Sequence, residues 1–410
     1  KKFANKPLYN EVVKRFAAYV GTSFQKGVTA SGRPVEVYAL FGGQWPHSSY
    51  MIPGGVMCAP TLKDITRAYA IMNQFRNDWL EPVWLGCSIE RYMQIRSWDE
   101  LMVWVEENES QRNSDLGLFI RASLEFGMDK FGQGVGKFIS FGTYLHKDRY
   151  NKPTVEGRND ALISPSGFFD GTAYHAFNHL DIKEHVKHTW FTDQPAAHPW
   201  DQPLPTPVPS QNLGNTNFND KYSWAKAPRY NGYAAEAGPL SRVIMAANPT
   251  NLPHQIQDPL FGDVLRKKGA NVFTRALARM HEAPRLYQYI HEWLGQIDLD
   301  GEFYIKPEER DGKGFGATEA ARGALAHWIE IENGVIKNYQ VMAPTTWNVG
   351  PNDDEGRSGP IEAALEGTEI EDSNDPVEVG MVARSFDSCL VCTVHAHDEK
   401  TGKELARFKL

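Results

Sequence analysis

At 410 residues with a formal net charge of −8, the chain can bury a large core and lacks the basic excess that nucleic acid demands of a partner. No stretch is apolar for the roughly eighteen residues a membrane span needs, and no signal-peptide pattern is present, so the expected location is the cytoplasm, or a membrane reached through partners. Four unevenly spaced cysteines make no disulfide framework and suit a reducing compartment. Eleven Trp, sixteen Tyr and twenty-one Phe, many beside Pro, Gly or His as in Gly43-Gln44-Trp45-Pro46-His47, point to long loops pinned by aromatic anchors.

Tyr9, Val12, Phe16 and Tyr19 recur at spacings of three and four and predict a helix within 5–20. Val35 to Phe41 reads as a strand running into Gly42-Gly43, followed by a glycine-punctuated loop through Pro53-Gly54-Gly55. Thr61 with Asp64 is a capping pair for a helix whose apolar face is Ile65, Ala68, Ile71, Met72, Phe75 and Trp79. Helical texture returns over 98–135, with Leu116, Leu118, Ile120, Leu124 and Phe126 as core candidates. Gly132, Gly134 and Gly136 loosely resemble a nucleotide-binding loop, but no strand precedes them, which argues against that reading.

Residues 155–230 are polar, proline-rich and full of turns, and predict a loop-rich excursion with short hairpins such as 167–172. Its Glu184-His185 pair and His188 lack the order of a zinc-hydrolase motif and read as surface residues. Val272 to Leu294 has helical spacing, with Pro284 inside it as a point where the run is expected to kink or divide, and Arg275, Arg279 and Arg285 on the other side. His327 to Ile331 and Val335 to Val341 flank Asn333-Gly334, a strong hairpin signal. A polar loop over 350–360 and a short helix over 361–366 follow. The expected architecture is a single body over 1–410, mainly helical with small antiparallel sheets at 35–41 and 328–341 (α+β), and a polar tail over 396–410.

Near the end of the chain, Asp387-Ser388-Cys389-Leu390-Val391-Cys392-Thr393-Val394-His395 gathers two thiols and an imidazole in one short stretch. Zinc, iron and nickel all accept such donors. The pair reads as metal ligands, a redox dithiol or an incidental pair. A dithiol of the thioredoxin kind belongs early in a small α/β domain, and this position argues against it.

With Glu319-Ala320-Ala321-Arg322-Gly323, Pro344-Thr345-Thr346-Trp347-Asn348, the early glycine motif from Phe41 to Gly55, and the segments Lys221 to Tyr230 and Glu236 to Leu240, this stretch resembles the large, catalytic subunit of nickel-iron hydrogenases over nearly the whole chain. The resemblance implies reversible heterolytic cleavage of hydrogen at a Ni-Fe centre whose iron carries carbon monoxide and cyanide. It implies Cys389 as a terminal nickel ligand, Cys392 as a bridging one, and His395 as ligand of a separate magnesium or iron ion. Arg322 would lie over the bridging face with Asp387 holding it, and Ala321 and Thr345 would line the diatomic ligands, Thr345 donating to a cyanide nitrogen. An iron-sulfur small subunit would take the electrons, because no cysteine is left here to hold a cluster; higher oligomers are compatible with this.

Three features depart from the family pattern. The upstream Arg-x-Cys-Gly-x-Cys pair is absent, and Cys58 and Cys87 are too far apart to replace it, so an N-terminal segment carrying it is expected to be separate from or missing in this sequence. Ala321 and Ser388 stand where the family has proline. The tail continues past His395, where most relatives are cleaved during maturation. The alternative readings are a non-catalytic relative, such as a maturation scaffold or hydrogen sensor, and a zinc-stabilised structural protein using Cys389, Cys392 and His395.

Overall fold

The computed structural model describes residues 2–146, 158–201, 206–208, 221–308, 310–388, 393–397 and 404–409. The chain divides into two compact units, Lys1–Gly127 with Arg279–Glu309, and Met128–Ala278 with Arg310–Leu410. All named strands pair antiparallel, in sheets of two or three strands, among α-helices. No described helix is long and apolar enough to cross a membrane.

The first unit is helical. Thr61 accepts from the Asp64 N–H at 3.3 Å while the Asp64 carboxylate accepts from the Thr61 N–H at 2.9 Å, the reciprocal cap anticipated for the helix Leu62–Phe75. That helix buries Ile65, Ala68, Ile71, Met72 and Phe75. Past Phe75 the chain widens into a π-helix, Arg76–Leu85, which accommodates Pro82. Leu80, Leu85, Leu101, Trp104 and Leu116 fill the interior, each such apolar side chain contributing roughly 1.5–3 kcal/mol by leaving water. Leu118 and Ile120 are buried as expected, whereas Leu124 and Phe126 are only partly covered.

The expected strand over 35–41 is instead the last part of a helix, Thr22–Gly42. Its β-branched valines suggested a strand, but the segment packs along Leu62–Phe75, and packing of this kind overrides propensity. The glycines that seemed to end a strand are a helix stop, with Gly43 left-handed at φ 78°. The helix Val272–Gly295 runs on through Pro284; Val272–Ala278 belongs to the second unit and the remainder to the first.

In the second unit Gly312–Ala320, Gly323–Glu332 and Val335–Met342 form a meander. Asn333 and Gly334 adopt φ 55° and 72°, the left-handed pair a tight hairpin turn requires, and their N–H groups donate to Asp311 at 2.9 and 3.0 Å. The meander's inner face, Ala324, Ala326, Trp328 and Met342, packs with Ile139, Phe141, Phe168 and Trp347. Within 155–230 the chain makes short strands; Gly167–Phe169 turns at Asp170 to pair with Tyr174–His175. Glu184 and His185 are buried, not surface residues: Glu184 Oε2 lies 3.2 Å from Lys226 Nζ, and His185 Nδ1 lies 3.2 Å from Asp354. A second apolar cluster joins Val272, Ile361, Ala364, Val382, Ala383 and Phe386, beneath a helix the sequence reading did not foresee, Val377–Ser385. Thr393–His397 and Glu404–Lys409 pair antiparallel, so the described part of the tail folds back as a strand.

Candidate functional site

Arg322 sits in the turn between the first two strands of the meander, and Asp387 in the turn that ends the helix Val377–Ser385. Tertiary folding brings them together: Arg322 Nε lies 3.6 Å from Asp387 Oδ1. That exceeds a hydrogen bond, and Nε, though buried, has no hydrogen-bond partner. Asp387 has φ 51°, a left-handed conformation that Asp and Asn tolerate better than other side chains. The next residue, Ser388, is buried, and its hydroxyl also lacks a partner.

Each turn is held from below. The Arg322 turn abuts the loop at Ala237-Gly238: a Cβ on Gly323 would come within 2.5 Å of the Gly238 N, so the close approach requires glycine there. Arg242, on the helix Pro239–Ala246, donates to Glu319 Oε2 at 3.0 Å, to the Ala320 carbonyl at 2.8 Å and to the Ala321 carbonyl at 2.9 Å. Glu319 Oε1 accepts from the Phe141 N–H at 2.7 Å and the Ser140 hydroxyl at 3.1 Å. Burial pushes the Glu319 carboxyl up, while Arg242 and these donors work against that shift.

The Asp387 turn rests on Arg275, from the helix Val272–Gly295. Its guanidinium forks onto Glu236 at 2.8 Å through both Nε and Nη2, donates to the Gly132 carbonyl at 2.7 Å, and stacks 3.9 Å from the Phe386 ring centroid. Gly134 is glycine because a Cβ there would meet Glu236 Oε1 at 2.0 Å, which replaces the nucleotide-loop reading with a packing reason. Thr345 lies in the short helix Pro344–Asn348, and Asn348 pairs with both the N–H and the carbonyl of Ala237, at 3.0 and 2.8 Å.

Of the residues singled out from sequence, Arg322 and Asp387 are therefore juxtaposed, and Ala321 is exposed with its carbonyl on Arg242. Thr345 is tied through Asn348 to the loop that meets the Arg322 turn. Cys389 and Cys392 lie outside the described residues, and His395 is placed on the strand Thr393–His397 by its backbone alone, opposite Arg407. Among the described residues no cluster of three or more His, Cys, Asp or Glu could hold a metal. Cys58 is exposed; Cys87 accepts from the Trp104 indole at 3.3 Å, and burial pushes its thiol up. Sequence reasoning did not find Arg242, Glu319, Glu236 and Arg275 as two ion pairs, since their partners are far apart along the chain.

The nickel-dependent hydrogenase family model matches residues 25–395. The chain is 30% identical over 382 residues to the large subunit of a periplasmic [NiFeSe] hydrogenase from Desulfomicrobium baculatum, covering 90% of this chain and 64% of that protein. It is 34% identical over 413 residues to the large chain of a quinone-reactive Ni/Fe-hydrogenase from Wolinella succinogenes, covering 92% and 63%. The crystal structure of a reduced, active form of the Desulfomicrobium baculatum Ni-Fe-Se hydrogenase superposes with a TM-score of 0.70 at 27% identity, over 90% of this chain and 68% of that one. The chain thus spans about 64% of the length of the curated relatives it matches. With its matched span and its fold in agreement, the chain belongs to the nickel-dependent hydrogenase family, as a large subunit of the nickel-iron and nickel-iron-selenium type.

Proposed function

We propose that this chain supplies the arginine-bearing and C-terminal cysteine walls of a Ni-Fe centre that splits hydrogen heterolytically. The residues present fit such a group: Arg322 Nε and Ser388 Oγ are buried, lack partners, and lie in the two turns that meet just before Cys389. Leaving buried polar atoms unpartnered is costly, and a polar ligand set between the two turns would complete them. Cys389 and Cys392 would hold the Ni-Fe centre through their thiolates. His395 would bind a separate magnesium or iron ion, and two further thiolates would come from a segment carrying the other cysteine pair. The chemistry supplied by the bound centre, with carbon monoxide and cyanide on its iron, is polarisation of the H–H bond.

Around it, the residues of this chain align and stabilise. The Arg322 guanidinium would present a planar positive charge to a group bound between the two turns, and could stabilise negative charge developing there. Asp387 Oδ1 sets the orientation of Arg322 from 3.6 Å. Thr345 and Ala321 would border the diatomic ligands, with the threonine hydroxyl donating to a cyanide nitrogen. For each hydrogen molecule oxidised, two protons and two electrons leave; the electrons pass to an iron-sulfur partner protein.

The observation that carries the reading is the convergence of Arg322 and Asp387 directly before the cysteine pair, in a chain of this family. Elemental analysis of the assembled complex tests it. Nickel and iron are expected together in the wild type, with nickel lost in Cys389→Ser and Cys392→Ser. The 410-residue chain alone is expected to hold no stoichiometric nickel. Zinc as the sole metal of the assembled complex would contradict the reading and support the structural alternative.

A further inference from the structure

We infer that the segment Glu236–Arg242 is the positioning element of this site: through Arg275 it fixes the turn bearing Asp387, and through Glu319 it fixes the turn bearing Arg322. The inference rests on the function proposed above and adds a mechanical cause for the Arg322–Asp387 geometry. Glu236 and Arg242 belong to one rigid piece, because Ser241 Oγ donates to the Glu236 carbonyl at 2.6 Å and the Arg242 N–H to the Gly238 carbonyl at 3.0 Å. Its backbone is also paired to the strand edge at Lys137 and Ile139, by bonds of 2.8 and 2.9 Å.

From this piece two buried arms reach outward. Arg242 does more than neutralise Glu319: its fork takes the carbonyls of Ala320 and Ala321, the two residues immediately before Arg322. Arg275, gripped by Glu236, lays its plane on Phe386, the residue immediately before Asp387. Each arm therefore stops one residue short of a site side chain. Buried ion pairs add little net stability over apolar packing, so stability alone does not account for two of them here. What the pairs supply is direction, and a planar guanidinium supplies it where an ammonium cannot. Arg242 and Arg275 are thus positioning residues, acting through the backbone of the residues that face the centre.

The test uses Arg242→Lys and Arg275→Lys in the assembled complex, since each keeps its charge beside the carboxylate and loses the fork. Amide hydrogen exchange is followed at 321–323 and 386–388, in both metal-loaded and metal-free protein. Arg242→Lys is expected to speed exchange at 321–323 by about tenfold or more and leave 386–388 unchanged; Arg275→Lys does the reverse. Both retain nickel and iron, shift the infrared bands of the diatomic ligands on iron, and lower turnover by about ten- to a hundredfold. Should either lysine variant fail to fold, Glu319→Gln and Phe386→Leu probe the same two arms. Wild-type exchange and unshifted bands in both variants would overturn the inference, as would loosening of both turns by either change. A wild-type complex without nickel would defeat the proposed function, while the exchange pattern would still decide the positioning roles.

Discussion

Arg322 and Arg242 lie on either side of the same turn, and each faces a carboxylate, but they are built differently. Arg322 meets Asp387 at 3.6 Å with side chains 39% and 34% exposed, whereas Arg242 meets Glu319 at 3.0 Å with 7% and 1% exposed. Arg242 also uses its remaining donors on two carbonyls, and Glu319 fills its lone pairs with an N–H and a hydroxyl. The buried pair is saturated. The upper pair keeps an unpartnered Nε, and that spare capacity is what a site needs in order to act on something that arrives. The difference teaches how to separate scaffold from site among residues of one chemical type: by counting satisfied atoms, not charges.

The largest effect that could break this comparison is removal of a buried carboxylate. Glu319→Ala strands Arg242 without a counter-charge, and Glu236→Ala does the same to Arg275; each is expected to cost about 3–5 kcal/mol in denaturant unfolding. A loss no greater than that of a surface substitution would show that the pairs are not saturated in the way described. Next comes Asp387→Asn, which keeps a side chain tolerant of the left-handed turn. It is expected to change stability by less than about 1 kcal/mol while lowering hydrogen turnover, because an exposed pair contributes little to folding.

A third region sharpens the comparison, because it covers two imidazoles whose hydrogen bonds among the described residues involve no carboxylate. His179 stacks on Phe315 with ring centroids 4.3 Å apart and receives the Trp328 indole N–H at 3.4 Å. His198 donates from Nε2 to the His179 carbonyl at 3.1 Å and accepts from the Trp200 N–H at 3.2 Å, and burial pulls its imidazole down although the His179 carbonyl works against that shift. Burial, with the nearby His198 adding to it, pulls the His179 imidazole from 6.5 down to about 4. The unfolded chain therefore takes up a proton that the folded chain refuses. Stability from this group is full above about 6.5 and is lost as pH falls toward 4. Equilibrium unfolding between these limits is expected to show the slope, and His179→Gln to flatten it; an unchanged slope would remove His179 from that account. The smallest effect is at Lys337, which is exposed and bridges Glu330 and Glu332 at 3.2 and 2.9 Å. Lys337→Ala is expected to leave the melting temperature unchanged.

Local features of the fold were legible in the sequence. The Thr61–Asp64 cap, the apolar stripe from Ile65 to Phe75, the Asn333-Gly334 turn and the helical spacing from Val272 all rest on residues within a few positions of one another. The helix ending at Gly42 was misread because its valines favour a strand until a neighbouring helix packs against them. The helix Val377–Ser385 was not legible because at nine residues it offers only a short apolar face, with Val382 and Ala383 on its buried side. At the site, Arg322 and Asp387 were found through their motifs. The pairs beneath them were not, because Arg242 and Glu319 are separated by 77 positions, and Glu236 and Arg275 by 39. Arg275 read as a polar helix face, and only folding shows that this face is buried against Glu236.

The central claim is that Arg322, oriented by Asp387, acts on hydrogen at a centre held by Cys389 and Cys392. Isotope exchange measures it most directly: the assembled complex is supplied with D2 in H2O, and HD is followed by mass spectrometry, which reports heterolytic splitting without any electron acceptor. The wild type is expected to form HD, and Arg322→Lys, with nickel and iron contents equal to the wild type, to form it at least about tenfold more slowly, since a lysine cannot reproduce the rigid fork. An Arg322→Lys complex that holds both metals and exchanges at the wild-type rate would contradict the account.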